Sequence, residues 1–238
     1  MDRLDAVIAL NANISRSAAA ALIKDGAVTV DGCTVRDASR RFDYTAEFTL
    51  RGAPLRVAEH VYIMMNKPAG VVSASEGGTD VTVVDILPRA FARRGLFPAG
   101  RLDRDTTGFC LITDDGGFAH RILSPVSHVP KTYRARIDCP AGDGFGEAFA
   151  RGIVLRDGTA LLPAGYRLLS QGENALCEVV ITQGVYHQVK LMFASLGCKV
   201  IQLERTAMGG LELDKALAPG ECRYINNDEL VKITNPQL

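Results

Sequence analysis

The chain lacks the features that define membrane and exported proteins. Within its 238 residues, no apolar run approaches the roughly 18 to 20 residues that a membrane helix needs. The N-terminal stretch MDRLDAVIALNANISRS carries acidic residues early and has no long apolar segment of the signal-peptide kind. We therefore expect a cytoplasmic protein with no membrane partner.

Metal-ligand and disulfide patterns are also missing from the sequence. The six cysteines stand singly, without a C-x-x-C pair, and the four histidines are scattered. We expect reduced, mostly buried thiols, and neither a metal site nor a disulfide framework.

The sequence also has no excess of positive or negative charge. Lysine and arginine number 27, as do aspartate and glutamate, so the net charge is zero. This argues against indiscriminate nucleic-acid binding through a field of the whole protein. Two stretches are nevertheless basic: residues 89–104 hold five arginines against the single acid Asp103, and residues 116–137 contain no acid. A local basic groove suits a partner with one specific docking place.

The first sixty residues predict a small α+β unit. The stretch RLDAVIAL places its apolar residues on one helical face. A second helix is expected to begin at its cap, Ser15, and to end at Gly26. The alternation around Asp31 and Gly32 then indicates a tight hairpin. These patterns predict an αα-hairpin followed by a short β-hairpin.

The polar, proline-containing stretch RGAPLRVAEH indicates a boundary, which predicts domains at residues 1–58 and 59–238. Strands outnumber helices in the second domain, so we expect an α+β fold built on a mixed, mainly antiparallel sheet with flanking helices. The predicted strands are Val61–Met65, Phe109–Thr113, Lys131–Ile137, Ala175–Thr182 and Lys199–Arg205. The predicted helices are Thr82–Leu87, Gly117–Leu123, Phe145–Arg151 and Tyr186–Leu196.

The stretch PAGRLDRDTTG places Asp103 in an irregular segment just before a predicted strand. Loop residues held by a rigid sheet often serve as catalytic groups. On spacing alone, Asp103 could equally be a turn aspartate that accepts hydrogen bonds from nearby backbone amides.

Five segments in register resemble the RNA pseudouridine synthases, in particular the small-subunit (RsuA-type) ribosomal branch. They are NKPAGVVSA, AGRLDRDTTGFCLITDDGGFAHRILSP, KTYRARI, GVYHQVKLMFASLG and MGGLELDKALAPGECR. The N-terminal unit, with its RLD…SRS…VDG pattern, resembles the S4-type RNA-binding domain; a small structural domain with solvated arginines is the alternative. Together the resemblances cover nearly the whole chain.

The resemblance implies roles for three residues. Asp103 matches the essential catalytic aspartate of the G-R-L-D motif. Tyr133 matches the tyrosine that stacks on the target base, although a core tyrosine is the alternative on pattern alone. Lys190 matches the basic residue that pairs with the carboxylate, although a surface lysine would fit the helical pattern too.

Several further residues are expected to bind RNA. Arg101 is placed to grip the flipped nucleotide or a phosphate, and His187 either contacts RNA or forms hydrogen bonds at a helix start. The remaining candidates are Gln188, two positions before Lys190, and the S4-like cations Arg3, Arg16, Lys24, Arg40 and Arg41.

The chemistry explains why one carboxylate would suffice. Converting uridine to its C-glycoside breaks the N1–C1′ bond and joins C5 to C1′, and no atom is gained or lost. The reaction therefore requires no water, metal or other cofactor, and a carboxylate can act as nucleophile or base. The base must leave its stack, so an aromatic platform and a basic groove are expected.

The sequence departs from the family at three positions of one segment. Val185 and Leu191 stand where basic residues are common, and Gln183 stands where glutamate is frequent. Each phosphate contact adds about one unit of counterion release, so these changes weaken the expected affinity for RNA.

The function expected is conversion of one uridine of small-subunit ribosomal RNA, naked or partly assembled with protein, by a monomer. One alternative is the same reaction on large-subunit RNA, and another is an RNA-binding or assembly factor that retains the fold without catalysis. A glycoside hydrolase using Asp103 with Asp105 is weaker, because side chains two apart in an extended segment point to opposite sides.

Overall fold

The computed structural model describes residues 1–124, 126–127 and 129–235. The chain divides into two compact units: Met1–Val61 together with Pro88–Leu96, and Tyr62–Leu87 together with Phe97–Leu238. The first division after Val61 lies three residues beyond the expected boundary. The sequence did not indicate that a second segment, Pro88–Leu96, belongs with the N-terminal residues.

The first unit contains two short helices and two small sheets. Its helices are α1 (Leu4–Asn11) and α2 (Arg16–Lys24). Its strands are β1 (Asp2–Arg3), β2 (Val28–Val30), β3 (Cys33–Thr34), β4 (Arg41–Phe42), β5 (Phe48–Leu50) and β6 (Ala53–Leu55), and a 3₁₀ turn spans Arg89–Phe91. Strands β3, β2, β5 and β6 form one sheet in that order, and β1 pairs with β4.

The local patterns of this unit behave as expected. The side chain of Ser15 accepts a hydrogen bond from the amide of Ala18 and so caps α2. Asp31 and Gly32 both have positive φ, which matches the tight hairpin between β2 and β3. The apolar faces of both helices and of β2 meet in one buried core.

The second unit contains four helices and nine strands among the described residues. Its helices are α3 (Gly116–Leu123), α4 (Phe145–Arg151), α5 (Gln188–Ser195) and α6 (Asn227–Thr234). Its strands are β7 (Tyr62–Lys67), β8 (Phe97–Pro98), β9 (Thr107–Thr113), β10 (Lys131–Ile137), β11 (Gly165–Ser170), β12 (Leu176–Ile181), β13 (Val200–Met208), β14 (Leu211–Glu212) and β15 (Cys222–Tyr224).

One sheet organises this unit, with the central order β11-β12-β10-β13-β9-β7-β15. Strands β9 and β13 run parallel, and the other pairs described are antiparallel. This confirms the mixed, mainly antiparallel sheet. Four of the five strands start or end at residues other than those expected, whereas β10 and α4 have the predicted limits.

Strand β10 presents two chemically different faces. Lys131, Tyr133 and Ala135 are buried, whereas Arg134 between them is exposed. The register aligns Lys131 with Met208 of the core that α3 and α6 cover, and Tyr133 with Val179 of β12. The buried face of β10 is therefore the face on which the helices pack.

One expected helix is absent. Thr82–Leu87 forms turns, in which the side chain of Asp85 accepts hydrogen bonds from the amide and the hydroxyl of Thr82. Pro88 follows directly, and a residue before proline is disfavoured in helical conformation. The prediction of a helix here was wrong.

The expectation about cysteines was also wrong in one respect. A disulfide joins Cys139, just after β10, to Cys198, just after α5, with 5.9 Å between their Cα atoms. The two residues are 59 positions apart, so only the tertiary arrangement brings them together.

No single helix among the described residues is long and apolar enough to cross a bilayer, and only the bent pair α1 and α2 has that length and composition when taken together.

Candidate active site

Asp103 lies in the loop that joins β8 to β9, and local hydrogen bonds shape this loop. Gly100 turns the chain with a φ of +95°. The amide of Leu102 donates to the hydroxyl of Ser73 over 3.2 Å, and the amide of Thr106 donates to the carbonyl of Asp103 over 3.1 Å. The Asp103 carboxylate stays 24% exposed, so a substrate can reach it while the backbone behind it is fixed.

A buried lysine anchors the same loop from beneath. The Nζ atom of Lys67 donates to the carbonyl oxygens of Pro68, Arg104 and Thr106, over 3.0, 3.2 and 2.8 Å. Burial lowers the pKa of Lys67. The three carbonyl oxygens replace the hydrogen bonds to water that the buried ammonium group has lost. Sequence analysis missed this residue; a lysine at the end of the apolar run YIMMNK was the available signal.

Lys190 of α5 holds two carboxylates. Its Nζ atom lies 2.9 Å from Oδ2 of Asp103 and 2.6 Å from Oδ1 of Asp105. The hydrogen bond from Lys190 lowers the pKa of Asp105. Burial alone would lower the pKa of Lys190, but its two carboxylate partners outweigh burial and raise it. The structure thus brings Asp103 and Lys190 into the pairing that the sequence suggested.

His187 contacts Asp103 from the start of α5. Its Nε2 atom lies 3.4 Å from Oδ1 of Asp103, and its ring stacks on that of Tyr186 with 3.7 Å between centroids. The backbone of His187 is left-handed, with a φ of +53°, and its side chain forms no capping hydrogen bond. The side chain of His187 therefore contacts Asp103 and does not cap α5.

Gln188 is placed differently from the expected RNA contact. Its side chain is 4% exposed, and its Oε1 atom accepts from the amide of Val185 over 3.2 Å. The neighbouring Gln183 accepts from the amide of Leu162 over 2.8 Å. Gln188 thus holds the loop before α5, and Gln183 holds the backbone at Leu162, so the geometry supports a positioning role for Gln188.

Tyr133 is 7% exposed on the buried face of β10. In the register with β13 it lies opposite Arg205, and side chains of directly opposite residues share one face of a sheet. Lys131 precedes it by two positions on the same face. The tyrosine therefore lies between two buried cations, neither of which the sequence analysis singled out as a site residue.

A cleft of about 630 Å³ opens beside the paired carboxylates. Asp105 and Lys190 line it together with Arg134 and Arg136 from the exposed face of β10. Arg101, in the Asp103 loop, is exposed to solvent. The basic stretches of the sequence thus contribute cations to the cleft and to the loop.

The S4-like cations lie in the first unit. Arg3 and Arg41 are direct partners in the pairing of β1 with β4. Arg3 and Arg16 both contact Asp5, at 2.9 and 3.1 Å, and the hydrogen bond from Arg3 lowers the pKa of Asp5 to about 2. All five cations are exposed, and Asp5 partly neutralises Arg3 and Arg16.

Comparison with known proteins defines the class of this chain. Residues 61–195 match the model of the RNA pseudouridylate synthase family, and residues 2–43 match that of the S4 domain. The chain belongs to the RNA pseudouridine synthases and carries an S4 domain at its N-terminal end. The family resemblance seen in the sequence is therefore confirmed.

Several relatives align with nearly the whole chain. The chain is 41% identical over 237 residues to an RNA pseudouridine synthase of Bacillus subtilis, covering 99% of each chain. It is 40% identical to the ribosomal small subunit pseudouridine synthase A of Vibrio cholerae, covering 97% of this chain and 99% of that one. A crystal structure of a pseudouridylate synthase aligns with a TM-score of 0.68 and 36% identity, covering 98% of this chain and 100% of that chain.

Proposed function

We propose that this enzyme converts one uridine of small-subunit ribosomal RNA to pseudouridine, with Asp103 as its catalytic residue. The observation that carries the proposal is the ion pair of 2.9 Å between Asp103 and Lys190. It stands at the end of the G-R-L-D loop in a chain that matches small-subunit enzymes over 97% of its length.

The ion pair suits the chemistry because it orients a reacting carboxylate. Lys190 fixes one oxygen of Asp103, and His187 approaches the other at 3.4 Å. Lys67 holds the backbone directly after Asp103, at Arg104 and Thr106, so the carboxylate meets the sugar or base with little reorganisation. In this proposal Tyr133 stacks on the flipped uracil, and Arg101 contacts the flipped nucleotide or its phosphate.

The N-terminal residues 1–58 serve as the RNA-anchoring module in this proposal, and residues 59–238 as the catalytic domain. Exposed cations of the module would contact phosphates; they are Arg3, Arg16, Lys24, Arg40 and Arg41. The protein would act as a monomer in the cytoplasm. Its substrate would be ribosomal RNA, either naked or partly assembled into the subunit.

The test uses small-subunit RNA transcript, alone and with early-assembling ribosomal proteins. It is incubated with the wild type, with Asp103→Asn, and with the control Asp143→Asn, which changes an exposed aspartate of a turn before α4. Pseudouridine is mapped by carbodiimide labelling and primer-extension stops. We expect one new stop with the wild type and the control, and none with Asp103→Asn.

Other results would lead to other functions. A stop found only in large-subunit RNA would reassign the substrate but retain the chemistry. Binding without any stop in either RNA would make the protein a non-catalytic RNA-binding factor.

A further inference from the structure

Two cations are buried beside Tyr133 without a carboxylate partner. Arg205 is 1% exposed and Lys131 is 7% exposed. The Nζ atom of Lys131 donates to the carbonyls of Val129 and Thr182, over 2.8 and 3.3 Å, and Nε of Arg205 donates to that of Phe109 over 2.7 Å. In the described part of the chain, neither cation forms an ion pair. Burial, and then the charge of Arg205, lower the pKa of Lys131 to about 8, which places the two charges close together.

The guanidinium of Arg205 also has an unused donor. Two buried side-chain nitrogen or oxygen atoms of the described residues lack a hydrogen-bond partner, Nη2 of Arg205 and Oγ1 of Thr106. Thr106 belongs to the Asp103 loop, and Arg205 is paired in register with Gly108 at the end of that loop. Both unsatisfied atoms therefore border the candidate active site.

The direction of Arg205 is fixed by its neighbours. It lies opposite Tyr133 across the β10–β13 pair. A Cβ atom added to Gly100 would lie 3.9 Å from Nη1 of Arg205, so the guanidinium reaches the first residue of the G-R-L-D motif. Arg205 thus lies beside the proposed stacking platform, on the neighbouring strand, and its guanidinium lies near the loop that carries Asp103.

Such an arrangement is costly unless a ligand completes it. A buried polar group without a partner destabilises the fold, and more so when it is charged. The charges of the two buried cations also repel each other. A site with these properties suits a group that brings lone pairs and negative charge.

We propose that Arg205 is a further substrate-binding residue, whose Nη2 donates to a carbonyl oxygen of the flipped uracil, with Lys131 as the second cation of the pocket. The inference rests on the proposed function. When the N1–C1′ bond breaks, its electron pair stays on the base. When C5 bonds to C1′, the base supplies the electron pair, C5 loses its proton and N1 gains one. Between these steps the base carries negative charge that spreads onto its carbonyl oxygens, so the contact is stronger in the transition state than in the bound uridine.

The first experiment compares Arg205→Met with Arg167→Met, a control that removes an exposed arginine of β11 in the same sheet. We expect Arg205→Met to lower the single-turnover rate of pseudouridine formation by about 100-fold while RNA affinity stays unchanged. Its thermal unfolding midpoint should not fall, because the substitution removes an uncompensated buried charge. A purely structural arginine would give the opposite pattern, with a lower midpoint and a rate that recovers once the fraction of folded protein is taken into account.

The second experiment changes the substrate atom that Arg205 is proposed to contact. Target RNAs carry 2-thiouridine or 4-thiouridine at the modified position, since sulfur is a weaker acceptor than oxygen. We expect the wild type to slow on one of the two, and Arg205→Met to show no additional loss on that RNA. Equal effects of the protein change on all three RNAs would overturn the inference.

Two further results are informative. If Arg205→Met does not fold, Arg205→Lys retains the charge without the planar donors, and the same comparison of thio-substituted RNAs decides the question. If the wild type itself makes no pseudouridine, the proposed function fails; if the wild type is active and Arg205→Met is equally active, only this inference fails.

Discussion

The side chain of Lys190 shares its charge between two carboxylates that differ in their exposure. The Asp103 side chain is 24% exposed, whereas that of Asp105 is 74% exposed. An ion pair with a solvated partner contributes little, because water screens both charges. The pairing with Asp103 is therefore the one in which Lys190 acts most strongly, and Asp105 serves as a secondary partner at the mouth of the cleft.

Replacing Lys190 tests this difference. We expect Lys190→Met to lower the single-turnover rate about 100-fold, because Asp103 loses the donor that orients it, and Lys190→Arg to restore part of the rate. Asp105→Asn should have a small effect. Lys199→Met, at an exposed lysine after α5, is the matched control. A larger loss in Asp105→Asn than in Lys190→Met would contradict the assignment.

The burial of Lys131 predicts a specific dependence of stability on pH. Burial and the neighbouring charge of Arg205 lower its pKa from 10.5 to about 8. In the window between these values the unfolded chain binds a proton that the folded protein has lost. The contribution of Lys131 to the free energy of unfolding therefore rises with pH from about 8 to 10.5.

Denaturant unfolding at several pH values measures this contribution. The wild type should gain stability relative to Lys131→Met as the pH increases through that window, and Lys199→Met should follow the wild type. A constant difference between wild type and Lys131→Met across the window would show that Lys131 does not titrate there.

At the scale of elements, the parallel contact between β9 and β13 fixes where the Asp103 loop ends. Gly108 lies in this contact, opposite Arg205, with a φ of +95°, and a Cβ atom there would overlap the carbonyl oxygen of Arg205. No other residue type can occupy this position without moving one of the two strands.

We therefore expect Gly108→Ala to destabilise the protein by about 3 kcal/mol, through backbone strain and separation of the strands. The Asp103 loop and Arg205 would shift together, so activity should fall further than stability alone explains. Gly116→Ala, where an added Cβ meets no atom within 4 Å, is the control. Thermal unfolding and single-turnover rates measure both effects.

Elements whose sequences combine periodicity with clear limits could be predicted. In KTYRARI every second residue is buried and the residues between are exposed or partly buried, and β10 has the predicted limits. Helix α6, in contrast, was not predicted. Its apolar face is short, and it is specified by a capping box between Asn226 and Glu229 and by the burial of Ile233. Tertiary packing decides such a helix more than periodicity does.

The candidate site likewise contains residues that the sequence could predict and residues that it could not. Asp103 and Lys190 were predicted through motifs, and the structure places them in contact. Lys67 and Arg205 were not predicted as site residues. The sequence around a cation in an apolar strand does not indicate which backbone carbonyl will accept its hydrogen bond. Their partners are 37 to 96 positions away along the chain, at Arg104 and Phe109. Contacts over such separations depend on the sheet order, which local patterns do not specify.

At the scale of the whole molecule, the net charge is zero, so RNA binding depends on cations at particular places on the surface. At two positions where the family commonly has a basic residue, this chain has an apolar one. Both side chains reach the surface, since Val185 is 36% exposed and Leu191 is 37% exposed. The loop around Val185 is kept in shape by Gln188 and Gln183, so a longer side chain at 185 has room to reach solvent and RNA.

Introducing one cation there should strengthen RNA binding. We expect Val185→Arg to tighten affinity at low salt and to steepen the slope of log K against log salt by about one unit, as for one added phosphate contact. Val154→Arg, at a valine that is 66% exposed in the same unit, adds an equal charge as a control. Equal slopes for the two variants would show a general charge effect instead of a contact.

The division of the chain into units has a consequence for how this enzyme can be dissected. The polypeptide passes between the units at Val61, at Leu87 and at Leu96, so three peptide connections join them. Arg93, in the returning segment, donates to Asn11 and to the backbone of Ala58. An N-terminal deletion up to residue 61 would leave that segment, only a few residues before Asp103, without the residues it packs on. A single N-terminal deletion therefore cannot remove the whole of the first unit, and the proposed contribution of this unit to RNA binding is better measured by reversing single charges.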